Sequence, residues 1–239
     1  MQPVYVALGD SMSIDAYAGG AGRGAASLLH RNRDGDFPDW AGRDLQGLGY
    51  AVQNLTRDGA TTVGVLQSQL SQIRARPNLI TLSMGGNDLM GAYGDTAAAR
   101  GVVTQVAERA ERILDTLRVM AGSEAAIVVT TVYDPSDGTG VLPGGGLPAW
   151  PDGSGLLAEL NTVLTAAAGR HGALVADVHA HFQGHGAAAG DPAQPDPRPV
   201  NRQLWYCGVI EPNAWGAHEI RTVWWRTLRE ATAGQTQAG

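Results

Sequence analysis

Cysteine is almost missing from this 239-residue chain, with Cys207 as its sole representative. That excludes an internal disulfide and any metal site built on a cysteine cluster, and it fits a reducing compartment. Positive charge is scarce as well: 17 basic residues stand against 23 acidic ones, for a formal net charge of -6. No dense basic run is present, which argues against a nucleic-acid partner, because phosphate binding is driven by Lys and Arg. No apolar stretch approaches the roughly 20 residues that a membrane-spanning helix needs. The opening MQPVYVALGDS has no basic start, no long apolar stretch and no small-residue cleavage site, so no signal peptide is read. The expected location is the cytoplasm, with a trimmed secreted form as the alternative. No internal repeat appears. The GGAGRG run over 19–24 has neither the spacing nor the strand-to-helix setting of a dinucleotide fingerprint. No cofactor and no metal are expected.

What is present suits one domain over residues 1–239. Hydrophobic residues make up 44% and charged residues 17%, enough apolar material for a sizeable core. Short apolar runs at 4–8, 51–55, 79–83, 126–132 and 174–178 read as strands covered on both faces. Amphipathic stretches at 39–48, 62–74, 96–120, 155–170 and 213–231 read as helices. Their alternation predicts an α/β fold with a five-stranded parallel sheet and helices on both sides. Three segments, 18–38, 133–155 and 183–204, read as long loops, placed either to shape a pocket or to decorate the surface. Trp150 and Trp205 lie in or beside them, as pocket lining or as loop packing.

The first strand ends abruptly in VYVALGDSMSID. Gly, Asp and Ser all favour turns, but a serine at the carboxyl end of a parallel strand also stands where open α/β sheets bind ligands. Two further segments, NLTRDGATT and LSMGGNDLM, also leave strand ends. Together they supply what acyl transfer needs: a nucleophilic hydroxyl on Ser11, and oxyanion donors from the backbone N–H groups of Ser11 and Gly59 and the amide of Asn87. Asp10 and Asp88 are expected as helix caps, and Asn54 as a brace for the Gly59 turn.

These blocks resemble the SGNH (GDSL-type) hydrolase family of esterases and lipases: GDSMS with Ser11 as nucleophile, NLTRDGATT with Gly59, and GGND with Asn87. The final PNAWGAHEIR resembles the start of that family's last helix. The resemblance implies a flavodoxin-like three-layer α/β/α sandwich and a metal-free serine hydrolase acting on a small-molecule ester. The last block departs from the family's Asp-x-x-His, because Gly208 stands at the Asp position and Glu211 at the His position. A serine hydroxyl needs a base, and six histidines are available. His171 reads as a helix C-cap, His30 as solvated, and His179 and His181 as sharing one face at the end of the last strand. His185, in QGHGA, is the expected base, with Glu211 orienting it as the third member of a rearranged Ser11–His185–Glu211 triad. His218 and His181 are the alternatives. The same motifs would serve an acyltransferase, a thioesterase or a carbohydrate deacetylase. The missing Asp-x-x-His also leaves open a non-catalytic binding module on this fold.

Overall fold

The computed structural model describes residues 2–143, 146–189 and 203–237. Its centre is a five-stranded parallel sheet of β1 (Val4–Leu8), β2 (Ala51–Asn54), β3 (Leu79–Ser83), β4 (Ala126–Thr130) and β5 (Leu174–Ala176), in the order β2-β1-β3-β4-β5. Successive side chains of a strand point to opposite faces, and the core divides accordingly. Val6, Leu8, Ile80 and Leu82 pack with α4 (Thr96–Ala121) and α5 (Gly153–Arg170). Tyr5, Ala7, Leu79 and Val128 pack with α1 (Ala25–His30) and α7 (Ala214–Gln237). All five residues of β3 are buried, as expected of a central strand covered on both faces. The result is the three-layer α/β/α sandwich anticipated from the sequence. Among the described residues, no helix is long and apolar enough to cross a membrane.

Several expected boundaries move. Residues 39–48 form only a 3-10 turn (Pro38–Trp40) followed by further turns, because Gly42 takes φ +74°, which an α-helix does not allow. The expected loop 18–38 instead contains α1. The helix expected over 62–74 is a broken one: α2 (Thr62–Gly64) runs into a π turn (Val65–Gln69) and a 3-10 turn (Leu70–Gln72). The π turn carries Gln69 inward, where its amide pairs with both the N–H and the C=O of Gly9 at 2.8 and 2.9 Å. Strand β5 stops at Ala176 because Asp177 caps α6 (Val178–His181), accepting from the N–H of Ala180. His179 and His181 therefore sit on a helix and not on a strand face. Residues 190–202 of the third long loop lie outside the described residues.

Gly9 ends β1 with φ +122°, and a Cβ there would lie 2.1 Å from the Ser83 carbonyl oxygen. Gly9→Ala combines a backbone region closed to L-residues with a clash against a central strand. It is expected to cost about 3–5 kcal/mol, read as a lowered urea midpoint.

Candidate active site

The site is assembled at the carboxyl edge of the sheet. Ser11 opens a 3-10 turn (Ser11–Ser13) directly after β1 and is 4% exposed. Asp10 caps that turn as expected, accepting from the N–H of Met12 at 3.2 Å and from the hydroxyl of Ser83 at 2.8 Å. After β2, Asn54 accepts from the N–H and the hydroxyl of Thr56, and the turn reaches Gly59 with φ +67°. After β3, Gly85 with φ +96° leads into α3 (Gly86–Met90). Asn87 on α3 donates to the Ala60 carbonyl at 3.0 Å, which ties this helix to the turn carrying Gly59. Asp88 does not cap its helix; it accepts from the N–H and hydroxyl of Thr62 at 2.8 and 2.6 Å and pairs with Arg109. That pins α2 to α3.

Ser11 and Asn87 share the wall of one cavity of about 90 Å³, together with Tyr133, Asp134, Trp150 and Ile210. Trp150 is thus pocket lining, one of its two expected roles; Trp205 is buried beside His185 instead.

Glu211 arrives on a two-stranded antiparallel hairpin, β6 (Tyr206–Cys207) and β7 (Glu211–Pro212), that packs against the Ser11 turn. Two fixings place it. The Tyr133 hydroxyl donates to the Ile210 carbonyl at 2.7 Å. Asn213 accepts from the N–H groups of Trp215 and Gly216 at the start of α7 and donates to the Leu204 carbonyl at 2.8 Å. Burial raises the Glu211 pKa above the usual carboxylate value; hydrogen bonding from the Ser11 side chain acts against the rise, and Asp58 and Asp10 add to it. Glu211 Oε2 is buried and accepts no hydrogen bond among the described residues. A buried acceptor without a partner is rare in a folded protein and calls for a reason.

None of the six histidines lines this cavity, and neither Gly59 nor Glu211 stands on its wall; Ser11, Asn87 and Ile210, the neighbour of Glu211, do. His185 was the expected base, with Glu211 behind it. The structure brings Glu211 to Ser11 and sets His185 in another environment. Its ring stacks on Trp205 at 3.3 Å, its Nδ1 meets the Gln203 carbonyl at 2.7 Å, and it helps hold the Glu219 carboxyl ionised. The nitrogen that Glu211 was expected to orient is thus occupied by a backbone oxygen. His181 pairs with Glu219 at 2.7 Å. His218 stacks on Phe37 and contacts Arg221; burial, with Arg221 second, lowers its pKa to about 4. His179 Nδ1 meets the Val132 carbonyl, and His30 Nε2, which was expected to be solvated, meets that of Tyr50. His171 caps α5, as expected, and pairs with Glu111.

Asp10 carries a separate consequence. Burial pushes its pKa up to about 6 from 3.8. Between those values the folded chain keeps a proton on Asp10 that the unfolded chain has released, so the contribution of Asp10 to stability is full below about pH 4 and is lost as pH rises through about 6. The loss is on the order of 3 kcal/mol. Asp10→Asn keeps an acceptor for Met12 and is expected to flatten this decline, seen in urea unfolding at a series of pH values.

The family model described as "GDSL-like Lipase/Acylhydrolase family" matches residues 7–218. No curated protein matches the chain. Among solved structures it is similar in fold to an extracellular lipase from Streptomyces rimosus, at 22% identity and a TM-score of 0.60, with 96% of this chain and 99% of that one covered. A phospholipase A1 from Streptomyces albidoflavus NA297 gives the same 22%, 0.60, 96% and 99%. An acetylxylan esterase from Geobacillus stearothermophilus aligns at 14% identity and a TM-score of 0.61 over 94% of this chain and 93% of that one. The match over most of its length makes the chain a member of the GDSL-like lipase/acylhydrolase family.

Proposed function

We propose that this carboxylic ester hydrolase works through a Ser11–Glu211 pair, with the glutamate acting directly as the base of the serine. The observation that carries the reading is the packing of β7 against the Ser11 turn, which brings a half-buried Glu211 carboxyl there with its Oε2 unpartnered among the described residues. A carboxylate whose pKa is raised by burial is a stronger base than a solvated one.

In the forward step, Ser11 Oγ attacks the acyl carbon while its proton passes to Glu211. The negative charge that develops on the carbonyl oxygen is held by the N–H groups of Ser11 and Gly59 and by Asn87. An amide nitrogen carries two N–H groups, so Asn87 can hold the Ala60 carbonyl with one and the oxyanion with the other. The intermediate collapses as the C–O bond to the alcohol breaks and Glu211-H returns its proton to the leaving oxygen. Water then attacks the acyl-Ser11 ester, losing its proton to Glu211, and the acid departs as Ser11 is reprotonated. The substrate in this reading is a small-molecule ester, and nucleic acid is not a partner. A cytoplasmic setting is supported by the single cysteine.

The reading is tested by turnover of p-nitrophenyl butyrate together with mass-spectrometric mapping of a fluorophosphonate adduct. An adduct on Ser11, absent from Ser11→Ala, is expected. No turnover and no adduct would instead make this a binding protein on a hydrolase fold.

A further inference from the structure

We propose that the cavity beside Ser11 is an acyl pocket closed off by Trp150, and that this indole restricts the enzyme to esters of short acyl chains. The inference rests on Ser11 being the nucleophile. Apart from Asp10, Ser11 and Asn87, the wall is largely apolar, with Leu89, Tyr93, Val132 and Leu157 prominent. The other polar groups on it are engaged with one another. Asp134 accepts from the hydroxyls of Ser136 and Ser154 at 2.6 and 2.7 Å, so this part of the wall presents few open polar groups to a ligand. A pocket of this character takes a hydrocarbon chain.

Size sets the class of chain. At about 90 Å³, the space is small for a ligand pocket, which favours short acyl chains.

Trp150 belongs both to this wall and to the core under α4 and α5, and is 6% exposed. The indole therefore separates the cavity from the packed interior. It is also held in place from several sides. Its Nε1 donates to the Thr96 hydroxyl at 3.3 Å, and the Tyr93 ring meets it edge-on at 5.1 Å. Its backbone N–H donates to the Gly140 carbonyl at 2.8 Å. Gly140 takes φ +71°, and a Cβ there would come within 2.5 Å of the Trp150 carbonyl oxygen; a Cβ at Gly153 would lie 3.1 Å from the indole. Both glycines let the chain close around a fixed ring. An acyl chain that runs past this depth meets an indole held by these contacts.

The test is kcat/KM for p-nitrophenyl esters from acetate to decanoate, with wild type, Trp150→Phe and Trp150→Ala. Wild type is expected to peak at butyrate to hexanoate and to fall at least about tenfold by decanoate. Trp150→Ala is expected to raise the decanoate-to-butyrate ratio by about tenfold or more, and Trp150→Phe by less. Thermal unfolding confirms that each variant is folded; if the alanine variant is not, the phenylalanine variant and the wild-type profile decide. A flat or rising wild-type profile would overturn the proposal, as would an unchanged ratio in a folded variant. A parallel series of butyrate esters of longer alcohols guards against the pocket holding the alcohol instead: a Trp150 effect confined to that series also overturns it. These failures differ from failure of the catalytic reading, in which no ester is cleaved and fluorophosphonate leaves Ser11 unlabelled.

Discussion

Glu211→Gln is expected to lower kcat/KM for p-nitrophenyl butyrate by about 10²–10⁴-fold while leaving the fold intact, the range that a positioned general base contributes. Glutamine matches glutamate in shape, so the hairpin, the Tyr133 bond to Ile210 and the Asn213 cap remain. Only the capacity to take the Ser11 proton is lost. His185→Ala, His181→Ala and His218→Ala are each expected to stay within about threefold of wild type in kcat, because these rings meet Gln203 and Trp205, Glu219, and Arg221 and Phe37 respectively. Remote packing changes of this kind act on stability more than on chemistry. The pH dependence follows from the same group. Glu211 works ionised, so the rate should rise with pH through a single carboxyl ionisation displaced above the ordinary value by burial, Asp58 and Asp10. It should then level off with no histidine step. Glu211→Gln should abolish that rise.

Ser11→Ala is expected to be the more severe change, at about 10⁴–10⁶-fold in kcat, since it removes the atom that forms the acyl intermediate. Residues that act as a unit are not additive, so the double variant Ser11→Ala, Glu211→Gln should be no slower than Ser11→Ala alone. Steady-state assays with burst-phase measurement would show this: wild type can release p-nitrophenol ahead of acid, and Ser11→Ala cannot. The serine variant also reports on the pair from the other side. The Ser11 hydroxyl acts against the rise in the Glu211 pKa, so without it the carboxyl should titrate at higher pH.

Much of this was legible in the sequence, and the reasons are local. The apolar runs at Val4–Leu8 and Leu79–Ser83 became β1 and β3 without adjustment, because a strand buried on both faces must be apolar throughout. Ser11, Gly59 and Asn87 stood out in the sequence because each follows a strand end, and a parallel sheet aligns such ends along one edge; Ser11 and Asn87 share one cavity wall. The helix expected at 39–48 failed on Gly42, whose left-handed backbone outweighed an apolar pattern. The base was the harder problem. Choosing His185 followed a rule about residue type, whereas the proposal of Glu211 rests on a spatial observation. A hairpin of two-residue strands turns Glu211 onto Ser11, and strands that short leave no periodicity to read. Trp150 was visible only as an aromatic in a loop; its place between the cavity and the α4–α5 core depends on how Gly140 and Gly153 fold that loop.

The most direct test of the Ser11–Glu211 pair is the rate at which a fluorophosphonate labels Ser11, measured against pH in wild type, Glu211→Gln and His185→Ala. Wild type and His185→Ala should label alike, with a rate that follows one carboxyl ionisation, and Glu211→Gln should be slower by about a hundredfold or more. Undiminished labelling in Glu211→Gln, or its loss in His185→Ala, would contradict the pairing and return the base to the histidine.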